Sequence, residues 1–196
     1  MTIKQGMPAS NDIVDLSTQA LVNMPYDHHE VHDGDSYDAY VYDADLDGAE
    51  IISISFTTPN TTSYLHMVSS AQNSSTSLFE IGEGATVTAG SGTDRACYNR
   101  RRTSSNTSGI KSLAETPAVS KYTYNGTITN MGTTLYQAVV GTGRFGGGTA
   151  TRGTAELILK PNTVYSFRLT GIADNGVASI DLTWYEHEDR VTPDGD

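Results

Sequence analysis

Apolar and polar residues alternate with a period of two over much of this chain. Ile52, Ile54 and Phe56 alternate with Ser53, Ser55 and Thr57, the pattern of a half-buried β-strand. Thr58-Pro59-Asn60 breaks the run. Residues 64–68 and 77–81 read as the next two strands, and Gly82-Glu83-Gly84 supplies a turn into 85–88. Upstream, residues 37–42 are β-like with an imperfect period, their tyrosines falling at 37, 40 and 42. Residues 133–140 predict another strand, followed by a flexible Gly-rich tract from Gly141 to Gly148 and a strand at 155–159. Beyond the turn at 160–163, residues 164–169 put Tyr165, Phe167 and Leu169 on one side of the pleat. Asp174-Asn175-Gly176 is a strong turn signal. After it, Ala178, Ile180, Leu182 and Trp184 oppose Val177, Ser179, Asp181, Thr183 and Tyr185.

Two regions depart from this pattern. In residues 1–25, Ser10 suits the cap of a short helix with Ile13, Leu16, Ala20 and Leu21 on one face, ending before Pro25. The same residues read equally well as an extended arm packed on a neighbouring subunit. Residues 89–118 are rich in Gly, Ser and Asn and hold Arg95, Arg100, Arg101, Arg102 and Lys111, five of the twelve basic residues. They read as a long irregular loop, and loops of that length in compact domains are functional or mobile as a rule.

Eight or nine short strands at near-regular spacing predict an all-β fold. The expected architecture is a β-sandwich, jelly-roll-like, over residues 26–188, with an N-terminal arm at 1–25 and an acidic tail at 189–196. No fixed-period repeat points to a propeller or solenoid. Composition agrees: Tyr (11) outnumbers Phe (4) and Trp (1), and Thr, Ser and Gly fill the spaces between apolar runs.

Charge narrows the partners. The net charge is −11, and no basic residue lies between Lys4 and Arg95, a stretch with fourteen acids. Nucleic acid is excluded as a general partner, because phosphate binding needs an excess of Lys and Arg. The acidic half reads as a solvated surface, or as complementary to a basic partner or to divalent cations. The single cysteine, Cys97, excludes an intrachain disulfide and reads as a buried small residue in a protein folding under reducing conditions. No run approaches the roughly 20 apolar residues of a membrane span, and no signal-peptide pattern opens the chain. Asn-x-Ser/Thr matches at Asn60, Asn73, Asn106 and Asn125 are expected in so Ser/Thr-rich a sequence.

Candidate chemistry is sparse. His28, His29 and His32 lie among Asp27, Glu30, Asp33 and Asp35. A zinc-protease helix needs His-Glu-x-x-His, whereas the order here is His-His-Glu-Val-His. Flanked by Pro25 and Gly34, the segment is expected to be a polar lead-in without a stable helix, and a non-catalytic metal site is the competing assignment. Asp43-Ala44-Asp45-Leu46-Asp47-Gly48 matches the first half of a calcium loop, but the twelfth position, where a bidentate Glu belongs, is Ile54. An acidic turn between strands accounts for it. There is no Gly-x-Ser-x-Gly elbow, and the Gly-rich 143–148 tract lacks the Lys-Ser/Thr of a phosphate loop. Carboxylate pairs for glycoside hydrolysis converge only in three dimensions, so the sequence does not decide on them. The expectation is no enzyme, no catalytic residue, no cofactor and no metal. Arg100, Arg101 and Arg102 are the candidate contact to an acidic protein surface.

Residues 156–165 (ELILKPNTVY) and 180–187 (IDLTWYEH) resemble the C-terminal strands of small virion proteins of tailed bacteriophages. His32-Asp33-Gly34-Asp35-Ser36-Tyr37, Phe56-Thr57-Thr58-Pro59 and His66-Met67 fit the same likeness, which spans roughly residues 28–188. The resemblance implies a capsid decoration (cement) protein or a related head or tail component, jelly-roll-like and trimeric. Its partner would be the major capsid protein and its location the capsid surface of the virion. It carries no catalytic residue across. A receptor- or glycan-binding module of a fibre is the second expectation, with surface Tyr, Trp184 and Asp/Asn contacting sugar. A hydrolase is the third.

Overall fold

The computed structural model describes residues 26–141 and 156–188. In chain order the elements are α1 (Tyr26–Asp33), β1 (Ser36–Leu46), β2 (Ile51–Thr57), β3 (Ser63–Asn73), β4 (Ser77–Glu83), β5 (Thr86–Val87), β6 (Thr93–Ala96) and β7 (Tyr98–Asn99). There follow β8 (Lys121–Tyr124), β9 (Ile128–Asn130), β10 (Thr133–Val140), β11 (Leu157–Leu159), β12 (Val164–Gly171) and β13 (Gly176–Glu188). One antiparallel sheet has the order β11-β3-β13-β1-β7, and a second has β10-β4-β12-β2-β8-β6, while β5 and β9 form a separate ribbon. The two large sheets bury one shared apolar layer, so the expected all-β sandwich is the architecture observed.

That layer follows directly from strand periodicity. From one sheet, Tyr37, Ala39 and Val41 of β1, Leu65 and Met67 of β3 and Ile180, Leu182 and Trp184 of β13 are buried. From the other come Ile52, Ile54 and Phe56, Phe79 and Ile81, and Tyr165, Phe167 and Leu169. The tyrosines of β1 resolve the imperfect period seen in the sequence. Tyr37 faces the core while Tyr40 and Tyr42 face solvent, so the strand alternates cleanly and places tyrosine on both faces.

The partners of β1 lie far away in sequence. Ser36 pairs with Tyr185 and Val41 with Ile180, and on its other side β13 pairs with β3, Trp184 opposite Met67. Among the described residues the last strand, β13, is thus the centre of its sheet. At the far end of the sandwich the β1–β2 and β12–β13 turns interlock. Asp47 Oδ1 accepts from the Asn175 backbone N–H at 3.0 Å, and Asp174 Oδ1 accepts from the Gly48 N–H at 2.9 Å. Two turns about 128 residues apart therefore satisfy each other's backbone donors.

Two expectations are corrected. Residues 26–33 form a helix instead of an irregular lead-in. Gly34 supplies the reason: at φ +86 it donates to the Glu30 carbonyl at 3.1 Å, as does Asp35 at 3.0 Å, closing the helix with a left-handed cap. The 89–118 segment is not irregular throughout. β6 adds to β8 at the edge of one sheet and β7 adds to β1 at the edge of the other, so the segment laces both layers. The expected arm at 1–25, the Gly-rich tract beyond Gly141 and the tail at 189–196 lie outside the described residues. Among the described residues, no helix is long and apolar enough to cross a membrane.

Candidate functional site

The chemistry-bearing residues gather where α1, the start of β1 and the end of β13 meet the 99–112 loop. The loop is fastened there by polar side chains. Asn99 Nδ2 donates to the Gly34 carbonyl at 2.6 Å, Asn106 Nδ2 donates to Asp35 Oδ1 at 2.9 Å, and the Arg100 N–H donates to the Ser36 carbonyl at 2.9 Å. Gly34 is needed for a second reason: a Cβ there would lie 2.4 Å from Ser104 Oγ.

Glu186 is the central acceptor of this end. Its carboxylate takes hydrogen bonds from Trp184 Nε1 at 3.0 Å, from the Gly109 N–H at 3.0 and 3.1 Å to its two oxygens, and from Ser108 Oγ at 2.5 Å. A carboxylate so supplied holds the loop on the sheet and keeps the indole of fully buried Trp184 satisfied. Beside it a cleft of about 650 Å³ is lined by Glu30, Asp35, Glu186, His187 and Glu188, with Asn106 at its rim. Its walls are acidic and hydrogen-bonding. On the neighbouring strands His66 stacks on Tyr185 (4.6 Å between centroids) and meets His187 edge-on at 4.4 Å.

The arginines are placed individually. All three are exposed, and each is also held within the molecule. Arg100 Nε lies 3.7 Å from Asp38 Oδ2, Arg101 Nη1 donates to the His32 carbonyl, and Arg102 Nη1 donates to the Asn99 carbonyl at 3.2 Å. Arg102 also lies over the Tyr98 ring at 5.8 Å, and Tyr98 stacks on Tyr40 at 6.5 Å. Tyr40, Tyr42 and Tyr98 are about half exposed, at 54%, 55% and 47%. The triple arginine thus sits beside a tyrosine patch that belongs partly to β1, a neighbour invisible in the sequence.

The other candidates separate. Cys97 packs against the core, and burial, reinforced by the charge of Glu186, pushes its thiol up to about 12. It is a packing group and a poor nucleophile. Asp43, Asp45 and Asp47 do not converge: Asp43 Oδ1 accepts from the Asp45 N–H at 2.9 Å, while Asp47 serves the turn interlock. The histidine-rich segment does converge, because it is helical. His28 and His32 approach to 3.1 Å between Nε2 atoms, and His29 Nδ1 lies 3.1 Å from Asp33 Oδ2. His-Glu-x-x-Asp spacing at residues 29–33 is the signal that would have shown this grouping, had the segment been read as helix.

No family model, curated protein or solved structure matches this chain.

Proposed function

We propose that the chain is a structural virion protein that coats the outside of a phage capsid and stabilises it by bridging major capsid subunits, in groups of three. The observation that supports this best is the exposed Tyr40, Tyr42, Tyr98 and Arg102 patch continuous with Arg100 and Arg101. Tyrosine and arginine are the side chains that dominate protein–protein contacts, and rigid stacked rings lose little entropy on docking. Association with further copies or with a capsid subunit draws support from β10, which lies at one sheet edge. Among the described residues nothing pairs with its outer side, and Leu135, Tyr136 and Val139 stand exposed on it. The strand order also fits the jelly roll expected from the sequence. Taking β1–β4 and β10–β13 as eight consecutive strands, the sheets run first-eighth-third-sixth and second-seventh-fourth-fifth.

The test is to mix the purified protein with capsids lacking it and image them by cryo-electron microscopy. Ordered density at lattice symmetry positions, lost for the Tyr98→Ser/Arg102→Ala double variant, is the expected result. Bare capsids overturn it. One observation favours a second reading, a glycan-binding module of a tail or head fibre. The acidic cleft offers Asp35, Asn106 and Glu188 to sugar hydroxyls. A glycan-dependent rise in melting temperature, abolished by Asp35→Ala, would support it.

A further inference from the structure

We propose that α1 carries a binding site for one divalent first-row cation of the zinc class, with His29, Glu30 and Asp33 as its ligands. The helix sets the geometry. Residues 29 and 33 are one turn apart, and 30 and 33 are three apart, so all three share a face. His29 Nδ1 stands 3.1 Å from Asp33 Oδ2 and 3.7 Å from Glu30 Oε1, and the three donor atoms lie within 4.8 Å of one another. Ligands about 2.1 Å from a tetrahedral metal sit roughly 3.4 Å from each other, which those two separations bracket. A small rotation of exposed Asp33 closes the third side.

Glu30 points to a ligand independently of this spacing. It is 5% exposed and lines the cleft, and among the described residues its carboxylate is paired with the His29 imidazole at 3.7 Å and accepts no hydrogen bond. Burying a carboxylate is costly unless a cation or several donors compensate. Glu186, a few residues of cleft wall away, has a full set of donors, so the contrast lies within one site. The field is favourable as well, since Asp35, Glu186 and Glu188 line the same cleft. Arg101 approaches α1 only at its C-terminal end, where it is bonded to the His32 carbonyl. One imidazole and two carboxylates suit zinc, manganese or cobalt better than calcium, which takes six to eight oxygens.

The neighbouring His28/His32 pair, 3.1 Å apart at Nε2, is a competing chelate on the same helix, and the experiment separates the two. The full chain, stripped with EDTA, is titrated with zinc chloride by calorimetry, alongside Glu30→Gln, Asp33→Asn and a His28→Gln/His32→Gln double variant. Far-ultraviolet circular dichroism and melting confirm that each is folded. One equivalent should bind, at least tenfold more weakly in the Glu30 and Asp33 variants and unchanged in the double variant, with excess calcium failing to compete. Absence of zinc binding to the wild type overturns the site. So does binding that survives Glu30→Gln and Asp33→Asn but disappears with His28 and His32, or binding displaced by calcium.

Discussion

Replacing Glu186 by alanine tests the account of this end of the molecule most directly. The substitution removes one acceptor from three donors: Trp184 Nε1–H, the Gly109 N–H and the Ser108 hydroxyl. Hydrogen bonds to a charged group are worth about 1.5–3 kcal/mol each, and a buried donor left unmatched costs about 1–3 kcal/mol. The three losses do not add fully, because the Ser108 hydroxyl can turn and water can enter from the adjoining cleft. A net loss of about 3–4 kcal/mol is expected. At about 2–4 °C per kcal/mol for a chain of this size, the melting temperature falls by about 10 °C. Glu186→Gln retains an acceptor for Trp184 but turns an amide toward the Gly109 N–H, so about half the loss is expected. Equilibrium urea unfolding followed by fluorescence is the assay, and Trp184, the only tryptophan, reports from the site itself. A Glu186→Ala variant within about 1 kcal/mol of the parent would refute the view that this carboxylate clamps the loop.

Gly82→Ala, inside β4, and Gly84→Ala, just past its end, separate two reasons for glycine, and the expected 82–84 turn is in fact strand through Glu83. A Cβ on Gly82 would lie 2.2 Å from the Met131 carbonyl oxygen, so the link between β9 and β10 must move off β4, at about 2–3 kcal/mol. Gly84 faces open space at φ +70, so alanine there costs only left-handed backbone strain, about 1 kcal/mol; equal losses in urea melts would contradict this. Alkali should unfold the protein. Burial raises the phenols of Tyr37, Tyr122 and Tyr165 above their ordinary 10, Tyr122 to about 12, so the folded state holds these protons more tightly. The resulting stability is complete below pH 10 and is lost as pH rises beyond it. Tyrosinate absorbance from these residues should appear together with loss of the β circular-dichroism signal, and a fold persisting with all three ionised would contradict this.

The sequence and the structure agree wherever one face of a strand is core. Ala178/Ile180/Leu182/Trp184 show this, because one buried face imposes period two on a strand. β2 departs from the half-buried strand its alternation predicts: Ser53 and Ser55 are as fully buried as Ile52, Ile54 and Phe56, so the strand is covered on both faces. Pairing is a different matter. Nothing local marks β1 as the partner of β13, or Asp47 as the acceptor for Asn175. β6 and β7 were missed because strands of four and two residues with mostly exposed side chains carry no alternation. Pairing with β8 and β1 makes them strands. α1 was missed because histidine and aspartate are weak helix formers and the segment is one turn longer than a bend. Gly34 marks the end of the segment in the sequence, but its role as a left-handed helix cap is visible only in the folded chain. The His29, Glu30 and Asp33 grouping depends on that helix, since donors adjacent on a helix look scattered along an extended chain.

The position of β13 between β1 and β3 bears on how the molecule comes into being. During synthesis β1 and β3 are finished long before their common neighbour, and each must wait with an open flank through about one hundred further residues. The sheet cannot close until β13 has left the ribosome and slotted Trp184 into place. Contacts so distant in sequence make for slow folding. A chain cut short before Gly176 would be left with two unjoined sticky edges. β13, made after both strands that it joins, acts as a keystone, which makes synthesis through Glu188 the checkpoint for closing this sheet.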